Sequence, residues 1–144
     1  MYEPIRTKSV HTMAAAADYP HRSREEELEI RLAGQLTALL TVTDELHALA
    51  VGAGDAAESA ALAAAADRIA EQVARLSGGR RPLRAEPSDD GEPSRVPVLH
   101  RRAHTLAGNA LAVATSRDDA TAMTLAAERM AAHDAAEVRD LATA

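Results

Sequence analysis

His100 and His104 stand four residues apart in the run His-Arg-Arg-Ala-His. On a helix this spacing projects both imidazoles from one side. Two neutral imidazoles so placed can supply two corners of a transition-metal site. His47 follows Asp44 by three residues, and His133, Asp134 and Glu137 gather further along the chain. Helices packed as a bundle can turn such groups inward from facing elements. The candidate metal ligands are therefore His100, His104, His47 and Asp134. The alternative for the histidines is plain solvation at the edge of the core, beside Arg101 and Arg102. For Asp134 it is a last helical turn that overhangs the bundle, or a neighbouring Arg such as Arg102, because burying an unpaired carboxylate is costly.

The His100/His104 pair resembles the HxxxH pairs that hemerythrin-type and DinB-type proteins carry on bundle helices. The resemblance implies a metal-binding four-helix bundle. It covers those few residues, and the HxxxE of the second hemerythrin helix has no counterpart, since residues 56–76 contain no His.

Glu25, Glu26 and Glu29 form an EExxE run. This run resembles the first half of the signature of MazG-type nucleotide pyrophosphohydrolases, all-α enzymes, and so implies magnesium held with an ExxD on a following helix. Here the second half stands reversed, as Asp55 and Glu58. Acids in a first helical turn also have an ordinary reason, favourable interaction with the helix dipole. Arg80, Arg81, Arg84, Arg95, Arg101 and Arg102 could form an anion-binding patch, but no aromatic residue is interleaved to stack on bases. The P-loop, the dinucleotide fingerprint, HExxH and GxSxG are all absent.

Four helices must position these groups. The first spans about 24–51. Ser23 and Glu26 make a capping box, and Leu32, Leu39 and Leu46 recur every seven residues, widened by Leu28, Leu36, Val42 and Leu49. Gly52 and Gly54 end it. The second spans about 56–76 behind Asp55, with Leu62, Ala66, Ile69, Val73 and Leu76 as its seam, and Gly78 and Gly79 stop it. The third spans about 97–115, with Leu99, Ala103, Leu106, Ala110 and Val113 on one face. The fourth spans about 117–141, capped by Ser116, with Met123, Ala127, Met130, Val138 and Leu141 on one face. Leu125 points away from that stripe, Leu40 lies at an edge of the first helix, and Leu111 extends the arc of the third. The short connections predict two antiparallel hairpins. Residues 77–95, rich in Pro, Gly, Ser and charge, read as a mobile crossover. Residues 1–22 read as an arm or a short extra helix, with Val10, Met13 and Ala17 on one face. No proline falls inside the four helical patterns.

The fold class expected is thus all-α: a single four-helix bundle domain over residues 23–141, made of two antiparallel hairpins. Of the 144 residues 35 are alanine, and there is no Trp, Phe or Cys. Alanine favours helix but buries little area, so the core is thin and a homodimer is expected. The lack of Cys excludes disulfides and thiolate chemistry. A net charge of −6 opposes nucleic-acid and anionic-membrane binding. No secretory h-region or membrane-length apolar run occurs, so the cytoplasm is the default. Lys8 is the single Lys against 15 Arg, a bias that, with the alanine, reads as high-GC bacterial coding. The function expected is a non-enzymatic helical interaction or regulatory module, with a protein partner or itself, and no cofactor. The metal-binding bundle is the alternative.

Overall fold

The computed structural model describes residues 22–88 and 91–143. The expected N-terminal arm or helix lies outside the described residues, except for Arg22. Among the described residues the fold has four helices: α1 (Arg24–Gly52), α2 (Ala56–Leu76), α3 (Arg95–Arg117) and α4 (Ala120–Thr143). The described residues contain no strand.

Local chemistry fixes each helix end. Ser23 accepts from the Glu26 amide, and the Glu26 carboxylate accepts from the Ser23 amide. Those bonds hold the Glu26 carboxyl below its ordinary range. Asp55 accepts from the Glu58 amide to start α2. The α1–α2 turn needs a positive φ, supplied by Gly54 at 73°.

The third turn differs from expectation. Helix α3 runs on to Arg117, and Ser116 donates to the Ala112 carbonyl inside it rather than capping α4. Asp118 takes the left-handed conformation that reverses the chain, and Asp119 accepts from the Ala122 amide to start α4. Asp and Asn tolerate that backbone region better than most residues.

Helices α1 and α2 pack as one antiparallel hairpin, and α3 and α4 as a second. The hairpins join through α1 against α3, which run antiparallel: Arg95 at the start of α3 pairs with Glu45, and Arg117 at its end pairs with Glu29. Helices α2 and α4 touch little and are stapled by ion pairs, Arg68–Glu128, Arg75–Asp119 and Arg139–Glu58. Helices α1 and α4 lie diagonally opposite, as do α2 and α3.

The large core side chains come from the first hairpin: Leu32, Leu36, Leu39, Leu40, Leu46, Leu62, Ile69 and Val73 are all buried. The second hairpin presents mainly alanine, Ala103, Ala107, Ala110, Ala114, Ala122, Ala126 and Ala136, with Leu99 and Leu125. Small side chains let helix axes approach closely.

The crossover must travel from the end of α2 to the start of α3, at the opposite end of the bundle. Residues 80–88 carry no helix or strand, and a chain of that length can cover the distance at roughly 3.3 Å per residue. It is tied down on the way. Arg84 pairs with Asp44 at 2.6 Å and reaches Asp67, and the Ser88 amide donates to Glu45 at 2.9 Å. The Asp44 carboxylate keeps the Arg84 guanidinium charged. Asp44, grouped with His47 in the sequence, is thereby committed to the crossover.

Candidate functional site at one end of the bundle

Helix α3 turns His100 inward, one residue after Leu99 and three before Ala103, all on its buried face. Helix α4 turns His133 inward between Ala126 and Ala136. The two imidazoles meet with Nδ1 2.9 Å from Nδ1 and ring planes tilted by 48°. Both side chains are buried.

The tautomers follow from the surroundings. Arg129, one turn before His133, places Nη2 3.4 Å from His133 Nε2. A guanidinium has only donors, so His133 Nε2 accepts. The His133 proton then sits on Nδ1 and is donated to His100 Nδ1. His100 then carries its own proton on Nε2, a nitrogen that is not among the buried atoms lacking a hydrogen bond. The chain runs from Arg129 through His133 to the Nε2–H of His100.

Burial favours the neutral forms. His133 is pushed down to about 3, first by burial and then by the charges of Arg129, His100 and His104. His100 is also lowered by burial, against the opposing charges of Asp140 and Glu58. Arg129 is lowered by burial and by nearby Arg68.

His100 forms part of the wall of a cavity of about 470 Å³ at the end of the bundle where α1 and α4 finish and α2 and α3 begin. Leu46, Leu49, Ala50, Leu62, Val96 and Ala136 give it apolar walls, and Asp55, Glu58, Arg139 and Asp140 stand around it. A second space of about 160 Å³ lies beside it under the α2–α4 side, bounded by Arg129 and His133 and sharing His100, Glu58, Leu62 and Arg139.

Of the four metal candidates, only His100 belongs to this buried group. His104, one turn on, is half-buried. His47 is half-buried on α1, and Asp134 is exposed on α4 between the buried His133 and Ala136. Among the described residues no group of three or more His, Cys, Asp or Glu could hold a metal ion. The donor set at the core is two imidazole nitrogens, short of the four ligands of a closed zinc site.

The two halves of the pyrophosphohydrolase-like pattern fall apart in space. Glu25, Glu26 and Glu29 lie at the start of α1, and Asp55 and Glu58 lie beyond its end, about 35 Å away at 1.5 Å per residue. Glu26 is the capping-box acid, and Glu25 and Glu29 pair with Arg117. The arginines do not act as one patch either: Arg84 and Arg95 serve the crossover, and Arg101 and Arg102 are exposed on α3.

His133 is the site residue that sequence patterning did not single out. Its signal was weak, a histidine seven residues after Ala126 on a helix where alanine occupies every face.

The fold and site define an antiparallel four-helix bundle with a buried histidine pair opening on an end cavity. No family model, no curated protein and no solved structure matches the chain.

Proposed function

We propose that this protein is a non-enzymatic interaction module that associates with a second copy of itself through the cavity end of the bundle. The observation that carries the reading is the apolar rim there. Val51 at the end of α1, Val98 at the start of α3, and Val138 and Leu141 near the end of α4 are each more than half exposed. Large apolar side chains exposed at one end of a small domain are candidates for a contact surface.

A second copy fits the chemistry of that rim. The last turns of α4 alternate charge around the apolar residues, with Glu137, Arg139 and Asp140 beside Val138 and Leu141. Under a two-fold axis such a surface can place its arginine against its own acids. The alanine-built second hairpin leaves the domain short of large buried side chains, which association makes good.

Sedimentation equilibrium tests the reading. A dimer at tens of micromolar, weakened at least tenfold by Leu141→Glu, is expected. A native chain that stays monomeric at several hundred micromolar overturns it.

A further inference from the structure

The end cavity is complete within one copy, so what it holds can be asked apart from self-association. We propose that it is a binding site for an uncharged small molecule with an apolar body and a carbonyl-type oxygen, the oxygen accepting from His100 Nε2–H.

Four observations carry this. The volume of about 470 Å³ falls within the range of small-ligand sites. Leu46, Leu49, Leu62 and Val96 give part of the wall, which receives an apolar body, and Asp55, Glu58, Arg139 and Asp140 give it a polar part. The donor is set by its neighbours: Arg129 dictates the tautomer of His133, and His133 dictates that of His100. A ring N–H that no protein group accepts is open to an incoming acceptor. The fourth is charge. Asp55, Glu58 and Asp140 surround the cavity against the one cation Arg139, which itself lies 3.8 Å from Glu58. That balance repels an anion. A cation would be drawn to the rim but offers no acceptor to His100.

The test uses three eight-carbon probes differing in their heads, 2-octanone, octanoate and octylamine, titrated into the full chain and followed by nitrogen-detected imidazole resonances. The ketone is expected to bind saturably, to shift His100 Nε2, and to bind at least tenfold more tightly than octanoate. His100→Phe should weaken ketone binding at least fivefold, while His104→Ala leaves it unchanged. Tighter binding of octanoate or octylamine, or no saturable binding of the ketone, overturns the proposal. So does unchanged affinity in the His100 variant. If that variant does not fold, the native spectrum decides: the proton must lie on Nδ1 of His133 and on Nε2 of His100, and the reverse assignment overturns the proposal. Repeating the titration on Leu141→Glu separates this site from the self-association reading, since the cavity does not use Leu141.

Discussion

His100 and His133 are thirty-three residues apart in the chain and share one hydrogen bond, Nδ1 to Nδ1 at 2.9 Å, inside the second hairpin. One proton lies between the two rings, and a second cannot be added without placing a charge beside Arg129 in a buried position. The groups facing the pair are Arg129, Arg139, Glu137 and Asp140 from α4, Glu58 from α2 and His104 from α3.

Stability should therefore fall with acid. The folded pKa of His133, about 3, lies below the unfolded value near 6.5, so the unfolded chain takes up the proton first. The neutral pair is fully favourable above pH 6.5, and the loss deepens as pH falls toward 3. It should reach on the order of 2 kcal/mol at pH 5, from 1.36 kcal/mol per unit. Urea melts at pH 7.5 and 5.0 measure this. His133→Leu should cost about 1–3 kcal/mol at pH 7.5, because His100 Nδ1 loses its partner, yet show a flatter acid slope. An unchanged slope in that variant would remove the pair as its cause.

Asp119 is the cap of α4 and an ion partner at once. Its Oδ1 accepts from the Ala122 amide, and its Oδ2 from Arg75 and Arg117. Burial opposes its charge, but these bonds hold its carboxyl below the ordinary range. Asp119→Ala should cost about 1–2 kcal/mol, as lost caps do. Asp119→Asn keeps the cap acceptor and should cost less. Equal losses in thermal denaturation would count against the capping role.

The two hairpins should answer differently to added methyl groups. Gly34 lies in α1 with open space around the position of a Cβ. Gly34→Ala should stabilise by about 0.5–1 kcal/mol, because glycine is entropically costly in a helix. Ala107 is fully buried on α3. Ala107→Leu should destabilise by roughly 1–3 kcal/mol through overpacking. A neutral result there would mean that the alanine interface is loose.

The crossover prediction concerns proteolysis. Arg84 is held to Asp44 by two hydrogen bonds along the side of the bundle. Asp44→Ala should leave the bundle folded but raise trypsin cleavage after Arg84 severalfold. Identical cleavage rates in the two chains would show that the pair does not restrain this segment.

How far the chain could be read depended on what fills each face. The first helix was legible because leucine marks its buried stripe, and Leu32, Leu36, Leu39 and Leu46 are all inside as expected. Leu40, placed at the edge, is buried too. The fourth helix is turned from its expected phase. Val138 and Leu141, expected on the inner face, are exposed, and Leu125, expected outside, is buried beside Ala122 and Ala126. Alanine is compatible with any side of a helix, so a stripe made of it does not announce its direction. The small-residue face wins because only it permits close approach to α3. The same shift carries His133 inward and Asp134 outward, which is why the histidine pair was not legible while His100 was.

Only one of the bundle's four sides, α2 against α4, relies on opposite charges instead of close apolar packing. Ions in solution weaken attraction between exposed charges and leave buried hydrocarbon contacts almost untouched. The molecule thus has a directional softness: concentrated salt should loosen it along that single flank, speeding amide exchange there first, while the other three flanks stay closed.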